Sequence, residues 1–99
     1  MTVRTESVQF KADDKLIQYI EKKLGKLDNF FDKIIDASVK LKLENSGQIK
    51  DKIAEISIAV PGTVLFVKET HKTFEGSVDS ATDNLKRQLK RYKEKLRQR

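Results

Sequence analysis

The 99-residue length falls within the usual size of one domain, and we expect residues 1–99 to form a single domain. Hydrophobic residues make up 37% of the chain and charged residues 36%, so apolar side chains suffice for one face of each element. There is no run of the roughly 20 apolar residues that a membrane span needs, no secretory signal pattern, and no cysteine for a disulfide or a thiolate. These absences favour a cytoplasmic protein.

The positive charge is concentrated at the C-terminal end. The net charge is +6, yet residues 1–83 carry 13 Lys or Arg against 14 Asp or Glu. Residues 84–99 carry eight Lys or Arg against Glu94 alone, a balance of +7. Such asymmetry indicates a polyanionic partner, either a nucleic acid or an anionic membrane surface.

The first half of the chain predicts a strand, a helix and a second strand. Residues 2–10 have the polar, β-branched character of a strand, with Phe10 among its apolar residues. Asp13 and Asp14 offer an N-cap for a helix from about residue 14 to residue 27, where apolar residues recur at helical spacing. From residue 34 to residue 44 apolar and polar residues alternate, as in a half-buried strand.

Two further strands follow, separated by turn sequences. Asn45-Ser46-Gly47-Gln48 predicts a turn, and alternation up to Val60 predicts a third strand. Pro61-Gly62 breaks that strand, and the β-prone run 64–67 begins a fourth. The last three strands are therefore expected to form an antiparallel meander.

The last helix has the clearest periodicity. Thr73 is a candidate N-cap, and Glu75 in the first turn suits the helix dipole. Apolar residues follow at intervals of three or four: Val78, Ala81, Leu85, Leu89, Tyr92 and Leu96. The predicted fold class is α+β, in the order β-α-β-β-β-α, with a four-stranded sheet and two helices packed on one face.

A helical projection separates the cations of both helices from their apolar stripes. On the last helix one flank carries Lys86, Lys90, Lys93 and Arg97, the other carries Arg91 and Lys95, and Arg87 points outward. On the first helix the basic side carries Lys15, Lys22, Lys23 and Lys26. If that side faces the last helix across a cleft, the two form a continuous positive strip that could follow a phosphate backbone. Alternatively, the lysines of the first helix simply solvate its surface.

Catalytic and metal-binding patterns are missing. The only histidine, His71, reads as a polar loop residue before a helix that could touch a phosphate. Asp79 and Asp83 lie four apart on the last helix, where they can pair with Arg87 and neighbouring cations. Pro61-Gly62-Thr63 lacks the glycine spacing of a phosphate loop. We therefore expect no catalytic residue, metal or cofactor, and a binding protein rather than an enzyme.

The last helix resembles that of a known family. Residues 74–95, above all Leu85-Lys86-Arg87-Gln88-Leu89-Lys90-Arg91-Tyr92-Lys93, are similar to the corresponding helix of the bacterial ribosome hibernation promoting factor and ribosome-associated inhibitor family. The first helix over residues 14–27 and the Val60-Pro61-Gly62 turn also resemble the family, and the similarity spans essentially the whole chain.

The resemblance implies a fold like the double-stranded RNA-binding domain, wedged into the decoding channel between the head and body of the small ribosomal subunit. There it would overlap the paths of messenger RNA and of the A-site and P-site transfer RNAs, and inhibit translation in stationary phase or stress. The family's rRNA contacts fall by position on Lys23, Lys26, Arg87, Arg91 and Lys95. The helical projection adds Lys22, Lys86, Lys90 and Lys93 to this candidate RNA-binding set.

Two departures from the family pattern bear on these expectations. Thr73-Phe74-Glu75 stands where the family often has an acidic cap followed by Met-Tyr, which puts a contact by that tyrosine in doubt. The chain stops at Arg99, whereas long forms continue into a dimerisation domain. The expectation is a short form that is monomeric off the ribosome and does not pair ribosomes through a second domain of its own.

Two other classes of binding protein also fit the charge pattern. One is a generic module for structured RNA outside the ribosome, which co-sedimentation with ribosomes would distinguish. The other is a membrane-surface protein that uses residues 84–99 as a basic amphipathic helix. That alternative conflicts with the need of the same apolar stripe for the core.

Overall fold

The computed structural model describes residues 1–46 and 49–97, and the side chains of these residues except 45, 46, 49 and 50. Its elements follow the predicted order β-α-β-β-β-α. They are β1 (Thr2–Ser7), α1 (Asp14–Phe30), β2 (Asp36–Ser46), β3 (Ile49–Val60), β4 (Thr63–His71) and α2 (Phe74–Arg97).

The four strands form one mixed sheet in the order β1-β2-β3-β4. β1 pairs in parallel with β2, with Val3 opposite Ala37, because α1 serves as the crossover between them. β2, β3 and β4 pair antiparallel, with Val39 opposite Ile56 and Ile56 opposite Val67. The predicted meander is confirmed.

Both helices pack on one face of the sheet. Alternation along the strands turns one set of apolar side chains toward the helices, as predicted. The core combines Ala37, Val39, Leu41, Ile56, Ile58 and Val60 of the sheet with Ile20, Leu24, Leu27, Val78, Ala81, Leu85 and Leu89 of the helices. All of these side chains are buried, so the two-layer arrangement encloses one hydrophobic core.

Local interactions fix where the helices begin. The Asp13 carboxylate accepts a hydrogen bond from the Leu16 amide at 2.8 Å, which confirms the predicted N-cap of α1. Thr73 caps α2 in the same way, since its hydroxyl accepts from the Gly76 amide at 3.0 Å. α1 continues one turn past the predicted end, to Phe30, and the amide of Phe31 bonds to the Leu27 carbonyl at 2.8 Å.

Strand bounds differ from the predictions at two places. β1 ends at Ser7 because Gln9 adopts φ 66°, outside the extended region. Asn45 and Ser46, predicted as a turn, belong to β2, whereas the rest of that turn, Gly47 and Gln48, lies outside the described residues. The Pro61-Gly62 turn is confirmed: it joins Val60 to Thr63, with Gly62 at φ 88°.

Candidate RNA-binding surface

The two helices lie side by side and run in the same direction. Near the start of both, the Tyr19 hydroxyl donates to the Asp79 carboxylate at 2.5 Å. At the end of α1, the Lys93 ammonium donates to the Phe30 carbonyl at 3.1 Å. α2 has 24 residues and α1 has 17, so the last turns of α2 project past the end of α1.

A groove between the helices brings the predicted cations of both together. It is lined by Lys23, Lys26, Leu27, Asn29, Phe30, Thr82, Asp83 and Lys86. Lysines of α1 and α2 therefore share one cleft, which is the arrangement that the positive-strip hypothesis requires. The acidic Asp83 makes this groove mixed in charge rather than uniformly positive.

At the N-terminal end of the groove, Lys23 is held by an ion pair. Its ammonium lies 3.2 Å from the Asp79 carboxylate, which also accepts from Tyr19. The hydrogen bond from Tyr19 is the main cause of the lowered pKa of Asp79, and the hydrogen bond and charge of Lys23 lower this pKa further. The hydrogen bond to Asp79 in turn raises the pKa of Tyr19 and the pKa of Lys23. Asp79 thus pairs across the helix interface with Lys23 rather than along α2 with Arg87.

A second hollow continues from the groove toward the end of α2. It is lined by Phe30, Lys86, Arg87, Lys90, Lys93, Glu94 and Arg97. Phe30 and Lys86 border both depressions, so the surface is continuous across the two, and its cations outnumber Asp83 and Glu94. Arg97 is exposed in this hollow and was not in the predicted RNA-binding set, although the helical projection had put it on this flank.

Lys93 differs from its neighbours in this hollow. Its ammonium lies 4.6 Å from the centre of the Phe30 ring while donating to the Phe30 backbone carbonyl. Lys86 reaches the same ring at 5.6 Å but remains exposed, whereas Lys93 is half-buried. Phe30 therefore organises two of the cations of this surface, and the sequence analysis did not identify this residue.

The opposite flank of α2 carries the remaining two predicted cations. Arg91 and Lys95 border a depression formed with the β3–β4 turn at residues 61–63. Two α2 side chains fasten the helix to β4 and this turn: Tyr92 donates to the Pro61 carbonyl and Gln88 donates to the Phe66 carbonyl. These hydrogen bonds hold the part of α2 that carries Arg91 and Lys95 against the sheet.

The structure divides the nine predicted residues into two groups. Lys23 and Lys93 are half-buried and hold protein partners. The other seven are exposed and form no ion pair within the described part of the chain: Lys22, Lys26, Lys86, Arg87, Lys90, Arg91 and Lys95. Lys86 also contacts the Phe30 ring, but the charges of all seven have no carboxylate partner in this part of the chain and are available to an anionic ligand.

His71 and Phe74, which the sequence analysis singled out, both contact other residues of the protein. His71 ends β4, where its Nε2 lies 2.8 Å from the Ser80 hydroxyl of α2. Phe74, which follows the Thr73 cap, is buried and stacks on Phe10 with ring centres 5.0 Å apart. In residues 1–46 and 49–97, no three His, Cys, Asp or Glu side chains converge as a metal site requires. Neither described helix has an apolar stretch long enough to cross a bilayer.

Comparison with known proteins identifies the family. The family model described as sigma 54 modulation protein / S30EA ribosomal protein matches residues 3–97. The chain belongs to this family. Membership confirms the resemblance drawn from the last helix, and with it the prediction of a non-enzymatic binding protein.

Individual relatives agree with this assignment. The ribosome hibernation promoting factor of Pseudomonas putida is 30% identical over 96% of this chain and 89% of its own length. The ribosome hibernation promotion factor of Deinococcus radiodurans is 33% identical over 84% of this chain. The match spans only 44% of that longer relative.

Solved structures share the fold. The N-terminal domain of Thermus thermophilus Protein Y superposes with a TM-score of 0.83 at 31% identity, covering 93% of this chain and 99% of that one. A ribosomal subunit interface protein from Coxiella burnetii gives a TM-score of 0.82 at 20% identity, covering 94% of this chain and 98% of that one. The predicted fold class is thereby confirmed.

Proposed function

We propose that this protein is a ribosome hibernation factor that binds the small ribosomal subunit in the decoding channel. In that position it blocks messenger RNA and A-site and P-site transfer RNA, and so inhibits translation in stationary phase or stress. It acts in the cytoplasm, as a monomer off the ribosome, through a single domain formed by residues 1–99 of the sequence, and without a cofactor. The relatives are named for ribosome hibernation, and we assign the same role to this chain through the cations of α1 and α2.

The observation that carries the proposal is that seven of the nine predicted RNA-binding cations, on the two helices of a member of this family, are exposed and form no ion pair among the described residues. They occupy both flanks of α2 and the exposed side of α1, on a two-layer fold with one hydrophobic core. Structured RNA suits such a surface, because its helices present phosphate groups at fixed spacing. Proteins recognise such RNA mainly by its shape and its backbone, since few base edges are accessible.

The membrane alternative is disfavoured by the packing of α2. Its apolar stripe would have to enter lipid, but Val78, Leu85 and Leu89 are fully buried against the sheet. Exposing that stripe would cost the protein its core. Flotation with anionic liposomes at physiological salt is expected to leave the protein in the soluble fraction.

Co-sedimentation separates ribosome binding from generic RNA binding. Purified small subunits, large subunits and an unrelated structured RNA are each mixed with the protein at about 0.1 M salt, where phosphate contacts still contribute strongly. We expect saturable binding of one copy to the small subunit. Equal affinity for the unrelated RNA would favour the generic module instead.

A matched pair of variants tests where the surface lies. Arg87→Glu with Arg91→Glu alters α2, whereas Lys11→Glu with Lys72→Glu makes the same change of charge at exposed positions in the loops before α1 and α2. The α2 pair should lose small-subunit binding and the loop pair should retain it. Equal losses would mean that net charge, and not this surface, controls binding.

A further inference from the structure

Lys93 lies within the proposed RNA-binding surface, yet its contacts are those of a structural residue. Its ammonium donates to the Phe30 carbonyl at 3.1 Å and lies 4.6 Å from the Phe30 ring centre. The side chain is half-buried, in contrast to the exposed Lys90 three residues earlier on the same flank. One cation of this flank is therefore already satisfied by protein.

The C-terminus of α1 lacks a cation of its own. Its last turn contains no basic residue, although the unpaired carbonyls there carry partial negative charge. Phe31 satisfies the Leu27 carbonyl, and Lys93 of α2 satisfies the Phe30 carbonyl. Lys93 thus supplies from the neighbouring helix the charge that a lysine in the last turn of α1 would otherwise supply.

This contact joins the two helices at the point where their cations meet. Phe30 borders both the groove that contains Lys26 and the hollow that contains Lys90. The adjacent Phe31 packs edge-on against Tyr92, with ring centres 5.5 Å apart. Tyr92 and Lys93 therefore hold the end of α1 from consecutive positions on α2.

We propose that Lys93 is a positioning residue, which caps the C-terminus of α1 through Phe30 and so fixes Lys26 relative to Lys86, rather than a phosphate contact. The role rests on the proposed function, because its effect is measured through RNA binding. Loss of the cap lets the end of α1 move in the free protein, and binding must then restore its position. The lost helix-dipole interaction limits this cost, so the affinity should fall by up to about two- to five-fold. No phosphate contact is lost with it.

Salt dependence distinguishes a positioning residue from a phosphate contact. Lys93→Met keeps the aliphatic stem and removes the charge, and Lys90→Met is the matched exposed control. Between about 50 and 200 mM salt, the advantage of the unaltered protein over Lys90→Met should shrink about threefold, since one counterion-releasing contact is gone. Its advantage over Lys93→Met should change much less, because Lys93 releases no counterion of its own, and Lys93→Arg, which keeps a donor, should retain most of the affinity.

A second variant weakens the same contact without changing any charge, because it removes the ring that holds Lys93 and leaves the backbone carbonyl that Lys93 caps. Phe30→Leu deletes the ring beneath Lys93 and should also weaken binding by a salt-independent factor. It also serves if Lys93→Met does not fold. In NMR spectra the ε-methylene protons of Lys93 should be shifted upfield by the Phe30 ring current and should return to ordinary values in Phe30→Leu.

The possible results separate this inference from the proposed function. A salt-dependent loss for Lys93→Met equal to that for Lys90→Met, unchanged binding by Lys93→Met or Phe30→Leu, or the absence of the upfield shift would overturn the positioning role. Failure of the unaltered protein to bind small subunits at any salt would instead overturn the proposed function, and the role of Lys93 in RNA binding with it.

Discussion

Charge reversal on α2 gives the most informative single perturbation of the binding surface. Arg87 lies in the hollow around Phe30, and Arg91 lies beside the β3–β4 turn, so Arg87→Glu with Arg91→Glu alters both flanks of the helix. Both side chains are exposed and lie away from the buried stripe that contains Leu85 and Leu89. The thermal midpoint should therefore remain close to that of the unaltered protein.

The magnitude follows from the number of available cations. If all seven exposed, unpaired cations of the predicted set contact phosphates, the slope of log affinity against log salt is about −5 to −6. Loss of two contacts reduces it to about −3.5 to −4.5, and at about 0.1 M salt each lost contact costs about 1 kcal/mol. The double variant should thus bind about 30-fold more weakly, and repulsion by the two new carboxylates makes this a minimum.

The assay is binding of labelled protein to purified small subunits at four or more salt concentrations, with circular dichroism of each variant as the control for folding. A folded double variant with unchanged affinity and slope would refute the assignment of the surface. A reduced affinity with an unchanged slope of log affinity against log salt would refute the counterion-release reasoning, but it would still place the binding surface on α2.

Three further predictions concern the frame that supports the surface. Leu89→Ala should cost roughly 2–5 kcal/mol of unfolding free energy in urea titrations, because Leu89 is fully buried, and a cost under about 1 kcal/mol would mean that α2 faces the other way. Tyr92→Phe, which loses the hydrogen bond to the Pro61 carbonyl, should cost about 0.5–1.5 kcal/mol without altering the salt slope of binding, and an altered slope would contradict its structural role. The lowered pKa of Asp79 means that its links to Tyr19 and Lys23 stabilise the fold above the ordinary value of 3.8 and are lost as the pH falls through the lower folded value. The raised pKa of Tyr19 sets the upper limit, so this contribution is complete below the ordinary value of 10.0 and is lost above the folded value. Urea midpoints of the unaltered protein and Asp79→Asn should accordingly differ by a constant amount between about pH 5 and 9 and converge in acid, whereas a constant difference down to about pH 2 would contradict the assignment.

Periodicity in the sequence predicted the fold because each element buries one face. Alternation in β2 and the spacing of Leu85 and Leu89 each identify a buried side, and the structure confirms both. The order of the strands in the sheet does not follow from periodicity, because the burial pattern of one strand does not identify the strand beside it. The parallel pairing of β1 with β2 was accordingly not predicted and became evident only in the sheet.

The helical projection located the cations but could not tell which of them were already engaged. Lys23 and Lys93 look like their neighbours in the sequence, and their partners lie 56 and 63 residues away, at Asp79 and Phe30. Such contacts depend on how two helices pack, and no spacing within one helix encodes them. The absence of a basic residue in the last turn of α1 is the one local signal that could have pointed to an external cap.

The central claim, that the protein inhibits translation by occupying the decoding channel, is tested most directly by titration into a cell-free translation reaction. The titration is run with free ribosomes and with ribosomes pre-loaded with messenger RNA and initiator transfer RNA. Inhibition by occupancy requires about one copy per ribosome and should be strongly reduced by pre-loading, since the ligands compete for one site. Inhibition at strongly substoichiometric amounts, or inhibition and binding both indifferent to pre-loading, would contradict channel occupancy even if the protein still binds ribosomes.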